Sequence, residues 1–375
     1  MILLYCGREH HAKKLMPIRD ELEKRGLNPV WFTAKNAINL DSSLEVAIKA
    51  RGNYIHSYVD LDEATFKEAE DVAQAINKKM PLVPGVVPFW QYYSTREMAQ
   101  VYFSFKKIMQ HEEAQAVIAL HSNNFWAKTM LYLAEQLGLP AYSFQEGLLR
   151  DRDQETLGKQ TSAGDYSPHL FVWNSESRIQ YMEAGVPKQS MTISGPMHLD
   201  KYVNAEPQPL ERPVLVFCPT LQEEYVGSVK IDATNMRNLA QGLGMSFVFN
   251  PHPFEKGQYP GLETPAQDLL LLARTGMSLF VGQHSTIMHE ALALGAVVLE
   301  YQADDKEILQ PLSKKGVALK ANGKTVVDEV TKLLDGKYVL VNKVDNYLRR
   351  EYKGTLGKST KIVADRIQKD LMNGK

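Results

Sequence analysis

Short apolar runs alternate with helical patterns along nearly the whole chain. Ile2-Leu3-Leu4-Tyr5 reads as a strand, and His11 to Lys24 as a helix with Leu15, Ile18 and Leu22 on one face. Gly26 marks its end, and Val30-Trp31-Phe32 is the next strand. Further strands are Val117 to Leu120, Ala141 to Phe144 and Leu170 to Trp173. A helix from about Phe125 to Leu137 closes at Gly138, and a longer one opens at Ser94, where Ser94-Thr95-Arg96-Glu97 has capping-box spacing. Strands that alternate with helices imply a parallel sheet covered on both faces.

The rhythm breaks over residues 204–213, NAEPQPLERP, where three prolines, charge and no apolar period read as a linker. Alternation then restarts with Val214 to Phe217, Phe247 to Phe249, Ser278 to Val281, Val297 to Leu299 and Val317 to Leu319. The expected organisation is therefore an N-terminal Rossmann-like domain over 1–203, the linker, a second Rossmann-like domain over 214–345, and a helical tail over 346–375. The last helix, Ser359 to Leu371, carries Ile362, Val363, Ile367 and Leu371 on one side and needs a partner surface in one domain or the other. Pro81 to Gln91, PLVPGVVPFWQ, is a proline-rich loop that either lines a cleft or packs beneath a neighbouring loop.

A chain of 375 residues exceeds one ordinary core, which agrees with two domains. Net charge is −1, so no global field draws in nucleic acid. Cys6 and Cys218 lie far apart in apolar runs and read as buried small hydrophobes, with a disulfide or metal pair as the alternative, and this usage fits a reducing cytoplasm. No signal peptide and no spanning helix is read. The basic residues of the tail (Arg349, Arg350, Lys353, Lys358, Lys361, Arg366 and Lys369) form either a solvated face or a weak attachment to an anionic surface such as the inner membrane.

Candidate chemistry falls after predicted strands. Gly7-Arg8-Glu9-His10-His11 follows the first; it lacks the dinucleotide glycine pattern, and His10 and His11 either cap the helix or reach a ligand. Gln145-Glu146-Gly147 follows another, where Glu146 could take a proton from an acceptor hydroxyl or be a solvated loop acid. Arg150 and Arg152 would hold an anionic acceptor or pair with their aspartate neighbours. Thr220 could donate to a phosphate oxygen, and Glu223 and Glu224 would face the same cleft, unless the segment is a plain turn.

Two segments of the second half suit phosphate. In Asn250-Pro251-His252-Pro253, two prolines stiffen one imidazole at a strand exit, the place where open α/β sheets bind ligands. Ser285 and Thr286 open a helix, either as ordinary caps or as phosphate donors at an end whose free N–H groups and positive dipole suit an anion, with Glu290 one turn on, where it could bond ribose hydroxyls. His252 would stabilise or protonate a leaving phosphate. No carboxylate pair has metal-ligand spacing, so neither a metal nor a resident cofactor is expected.

These residues resemble the GT-B glycosyltransferases, and within them the bacterial surface-polysaccharide group of polysialyltransferases, capsule Kdo transferases and CDP-glycerol glycerophosphotransferases. The likeness rests on His252-Pro253, on Ser285-Thr286 with Glu290-Ala291-Leu292, on Glu146-Gly147, on Phe217-Cys218-Pro219-Thr220 and on Thr192 to Pro196, and spans roughly residues 115–300. It implies two Rossmann-like domains with parallel sheets facing a cleft, Glu146 as general base, His252 as phosphate clamp, and a CMP-activated 2-keto sugar acid as donor to a bacterial surface glycan or glycolipid. Glu146 stands where the teichoic-acid enzymes have histidine. The aspartate expected of retaining Kdo transferases is absent near Glu223 and Glu224, and Val298 stands where retaining GT-B enzymes repeat a glutamate after Glu290. Other readings are a CDP-polyol phosphotransferase, a UDP-sugar 2-epimerase, for which no acid–histidine cluster is evident in the sequence, and a non-catalytic nucleotide-sugar binding module.

Overall fold

The computed structural model describes residues 1–6, 9–32, 62–79, 95–111, 113–120, 125–147, 168–207, 209–219, 226–251, 259–262, 268–282, 285–302, 311–335 and 341–373. The chain divides into two units, one built from Met1–His198 with Lys358–Lys375, the other from Leu199–Gly357.

The first unit contains strands β1 (Ile2–Tyr5), β2 (Pro29–Phe32), β3 (Ala116–Leu120), β4 (Ala141–Phe144), β5 (His169–Val172) and β6 (Met191–Ile193). Its helices are α1 (Glu9–Lys24), α2 (Glu63–Lys79), α3 (Thr95–His111), α4 (Phe125–Gln136), α5 (Ser175–Glu183) and, at the far end of the chain, α12 (Ser359–Asn373). The second unit holds α6 (Asp200–Val203), β7 (Val214–Cys218), α7 (Val226–Gly242), β8 (Ser246–Phe249), α8 (Leu269–Arg274), β9 (Ser278–Gly282), α9 (Thr286–Ala293), β10 (Val297–Gln302), β11 (Leu319–Asn322), α10 (Val326–Leu334) and α11 (Val341–Tyr352).

Both sheets are wholly parallel, in the orders β2-β1-β3-β4-β5-β6 and β11-β10-β9-β7-β8. Parallel strands are covered on both faces and so read as unbroken apolar runs. In the first unit, Ile2, Leu4 and Ile118 pack with Leu15, Ile18 and Leu22 of α1 and with Val363 and Ile367 of α12. The alternate residues Leu3, Tyr5 and Val117 pack against Phe105 of α3 and Leu131 of α4. The second sheet repeats this plan: Val214, Val216 and Phe280 meet Met288, Leu292 and Tyr347, while Leu215, Phe217 and Val281 meet Ala233, Met236 and Val330. In each sheet the first strand lies between the second and third. The winding therefore reverses at β1/β3 and at β7/β9, the crevices where such sheets bind ligands.

Helix α1 runs through Pro17 although proline removes an amide donor from the helical ladder. Its fully buried Leu15, Ile18 and Leu22 hold it in place. The unit division falls at His198/Leu199, ahead of the proline-rich stretch, because Leu199 and Tyr202 belong to the core of the second unit. At Gly195, φ is +78°, a left-handed turn that favours glycine, and this ends β6 just before the division.

Residues 346–375 do not form one body: Asn346–Gly357 belongs to the second unit and Lys358–Lys375 to the first. Val363, Ala364 and Ile367 are fully buried in the first core. Arg25 reaches from the end of α1 to Asp365 at 2.8 Å and Gln368 at 3.1 Å, and Tyr142 of β4 donates to Asp370 at 3.1 Å. Burying two such aliphatic side chains is worth roughly 1.5–3 kcal/mol each, which fixes the helix against this unit. Several of the basic residues of the stretch are neutralised locally, by Lys361–Asp365, Arg366–Asp370 and Arg350–Glu351 pairs.

The strand expected at Val317 to Leu319 starts two residues later, at Leu319. Val317 and Ala318 are instead buried in the turn before it. Glu300 of β10 organises that turn by accepting from the backbone N–H of Leu312 at 2.5 Å and of Ser313 at 3.0 Å, and Val317 N–H closes it on the Leu312 carbonyl.

Candidate functional site

In the first unit, the exit of β4 is held from several sides. Gln145 N–H donates to the Phe171 carbonyl of β5 at 3.0 Å, so the strand pairing runs one residue past β4. Gln145 is 3% exposed; its side-chain amide nitrogen donates to Ser177 Oγ and to the Gly147 carbonyl, both at 2.9 Å, and its side-chain oxygen accepts from Trp173 N–H at 2.8 Å. Gln145, expected as a cleft residue, thus braces the β5–α5 turn, where Asn174 caps α5 by accepting from Ser177 N–H at 2.8 Å.

Glu146 comes next. Its carbonyl accepts from Lys14 Nζ at 2.6 Å, and its carboxylate Oε1 lies 3.4 Å from Nε2 of His11 on the first turns of α1. The His11 side chain is 3% exposed and that of Glu146 is 22% exposed. Lys14 Nζ also lies 5.9 Å from the centre of the Trp173 ring, which itself stands 5.8 Å from the His198 ring. The fold therefore brings His11, Lys14, Gln145 and Glu146 together at one end of the sheet. Lys14 is the member that the sequence does not announce; its position one turn after His11 on the same helix is the signal for it.

In the second unit, Ser285 is the N-cap of α9, with φ −89° and ψ 131°, and its side chain makes no capping hydrogen bond. Thr286 opens the helix. Glu290, one turn further on, is buried, and its charge is felt by Tyr202 and by His289. His289 is buried beside it; burial first, and then Lys315, push its pKa down to about 3, so the ring is neutral near pH 7. Tyr202 donates to Asp268, the N-cap of α8, at 2.8 Å; burial and that carboxylate push its phenol well above the ordinary range.

The exits of β7 and β9 are packed tightly together. A side-chain carbon on Gly282 would lie 2.4 Å from the Cys218 carbonyl oxygen, so only glycine fits this approach. Cys218 is fully buried, and burial raises its thiol pKa to about 12. Asn250 anchors the exit of β8 on β7, its N–H bonding the Phe217 carbonyl at 2.9 Å and its side chain reaching Cys218 Sγ at 3.9 Å. Two residues further on stand His252 and Pro253, which lie outside the described residues, as do Thr220, Glu223, Glu224, Arg150, Arg152 and the Pro81–Gln91 loop. Of His10 only the backbone, in α1, is described. Among the described residues no three His, Cys, Asp or Glu side chains converge as metal ligands, and no helix is long and apolar enough to cross a membrane.

No family model and no curated protein matches the chain. Solved structures do. A Listeria monocytogenes protein assigned as a UDP-N-acetylglucosamine 2-epimerase superposes with a TM-score of 0.66 at 13% identity, covering 99% of this chain and 96% of its own. The UDP-GlcNAc 2-epimerase of Neisseria meningitidis, solved with UDP-GlcNAc bound, gives 0.60 at 13% identity, with 98% and 100% covered. SsfS6, a Streptomyces glycosyltransferase, gives 0.52 at 12% identity, with 98% and 99% covered. With the two parallel sheets described above, these likenesses establish the architecture: the chain has the GT-B fold, two Rossmann-like domains shared by glycosyltransferases and UDP-GlcNAc 2-epimerases.

Proposed function

We propose that this protein is a glycosyltransferase that moves a sugar from a nucleotide-activated donor to a hydroxyl acceptor. The observation that carries the reading is Glu146, a carboxylate at a strand exit with its main chain braced and 22% of its side chain still exposed. It is assigned as the base that takes the acceptor's proton. In the second unit the reading assigns the leaving phosphate to His252-Pro253, Thr220 and the Ser285–Thr286 helix start. The reversal of winding at β7/β9 and the uncommitted Ser285 hydroxyl support that assignment.

The donor class rests on motif resemblance: a CMP-activated 2-keto sugar acid such as Kdo or sialic acid, passed to a bacterial surface glycan or glycolipid without a resident cofactor. Arg150, Arg152, His10, Glu223 and Glu224 are candidates for acceptor and cleft contacts. A glycolipid acceptor would bring the protein to the cytoplasmic face of the inner membrane. The local pairing of Lys361, Arg366 and Arg350 reduces the charge that this attachment would draw on, and flotation with anionic liposomes tests it. A CDP-polyol phosphotransferase is the alternative from the same resemblance.

A second reading, a UDP-sugar 2-epimerase, is favoured by two observations. Two of the superposing structures are of that kind by description, and an acid–histidine pair, invisible in the sequence, stands at His11 and Glu146. One experiment separates the readings: incubation with CMP-sialic acid, CMP-Kdo, CDP-glycerol and UDP-GlcNAc, following nucleotide release and the epimeric sugar. The proposal expects CMP release that depends on an acceptor and falls roughly 100-fold or more in Glu146→Gln with donor affinity kept. Full turnover in that variant removes Glu146 as base, and acceptor-independent conversion of UDP-GlcNAc establishes the second reading.

A further inference from the structure

We propose that His11 is a positioning residue for Glu146: a buried imidazole that fixes the carboxylate and shares the proton it receives. The inference rests on the assignment of Glu146 as base and gives His11 a role other than ligand contact. With 3% of its side chain exposed, the ring is not a surface for substrate, whereas the Glu146 side chain is 22% exposed. The 3.4 Å separation of Nε2 from Oε1 is an ion-pair distance, a little longer than a made hydrogen bond, and such contacts in substrate-free sites tighten to proton-sharing range when substrate binds.

The surroundings fix the main chain on which this contact acts. Lys14 holds the Glu146 carbonyl at 2.6 Å, and Gln145 holds the Gly147 carbonyl at 2.9 Å, so the main chain is fixed on both sides of the Glu146 side chain. On that fixed main chain, His11 sits against one oxygen of the Glu146 carboxylate. Lys14, from the same helix as His11, is a charged group described beside the pair. During transfer, the acceptor O–H bond breaks as its oxygen bonds the donor's anomeric carbon. The anomeric carbon–oxygen bond to phosphate breaks with its electron pair leaving on the nucleotide. The acceptor proton ends on the Glu146–His11 pair and passes to solvent after product departs.

The test reads the pair without any substrate. Histidine-selective ¹⁵N NMR follows the His11 ring through a pH titration in the full chain and in Glu146→Gln, a change that keeps side-chain shape. The expected result is a titration midpoint lower by about one pH unit or more in the variant, because an adjacent carboxylate favours the charged ring. An unchanged titration, including a ring that titrates in neither protein, overturns the proposal. With a donor that is turned over, His11→Gln is expected to lower kcat about tenfold or more and to displace the pH profile at unchanged donor KM; an unmoved profile also overturns it. Failure of every donor to bind or react counts against the proposed function and leaves the NMR result to decide the pair.

Discussion

The Gln145 side-chain amide donates to Ser177 Oγ at 2.9 Å while its oxygen accepts from Trp173 N–H at 2.8 Å, so one buried residue just past β4 locks the entry to α5. Replacing it by alanine leaves the Trp173 N–H and the Gly147 carbonyl without that partner. Gln145→Ala is expected to cost about 1–3 kcal/mol, the penalty of stranding a buried polar group, measured by urea unfolding. Because the same side chain holds Gly147, turnover is expected to fall further than the loss of folded protein explains.

Ser285 and Gly282 separate binding from folding in the second unit. Ser285 makes no side-chain capping bond, so Ser285→Ala is expected to change stability by less than about 0.5 kcal/mol. If its hydroxyl serves a nucleotide phosphate, affinity drops about tenfold or more, the worth of one charge-assisted hydrogen bond. Gly282→Ala does the opposite. Its new carbon meets the Cys218 carbonyl oxygen at 2.4 Å, and the forced shift of β9 is expected to cost about 1–3 kcal/mol. Isothermal titration with nucleotide and a denaturant melt, run on both variants, check the contrast.

Ile367 is fully buried where α12 meets the first core. Ile367→Ala is expected to cost about 2–5 kcal/mol, whereas the exposed Met372→Ala, on the same helix, should be nearly neutral. Equal losses in the two variants, read by denaturant midpoint, would show that α12 is not seated as described.

His289 and His169 predict an acid-sensitive fold. Burial, then Lys315, lowers the His289 pKa to about 3; burial, then Arg366, lowers that of His169 to about 4. Both rings stay neutral in the native state while the unfolded chain takes up protons from about pH 6.5 downward. Their contribution is intact above that pH and is lost as pH falls toward 3–4. The combined loss is expected to be a few kcal/mol, with the half-buried His169 giving the smaller share because solvent screens it. His289→Gln is expected to flatten the fall of melting temperature between pH 6.5 and 4.

The parallel strands were legible because each is covered on both faces. Ile2 to Tyr5 and Val214 to Cys218 are continuous apolar runs, and the structure buries every one of their residues. The edge strand β11 carries only one buried residue in four, so its signal was displaced onto the apolar Val317 and Ala318 of the preceding turn. The candidate acid was legible as a glutamate between an apolar strand and a glycine. Its surroundings were not, since Lys14 and Glu146 are 132 residues apart and meet only through the order of the sheet. The destination of α12 was equally hidden: an apolar stripe states that a helix needs a seat but carries no record of where the seat is.

That seat has a consequence for synthesis. The hollow on the first core that Val363 and Ile367 fill is made by residues between Ile2 and Met197, yet its plug is translated only after all of Leu199–Gly357. A nascent chain must carry a greasy, half-finished lobe through the making of an entire second one. Ribosome-stalled intermediates ending before Ser359 should therefore be the ones that holdase chaperones grip, and release should coincide with emergence of the final turns.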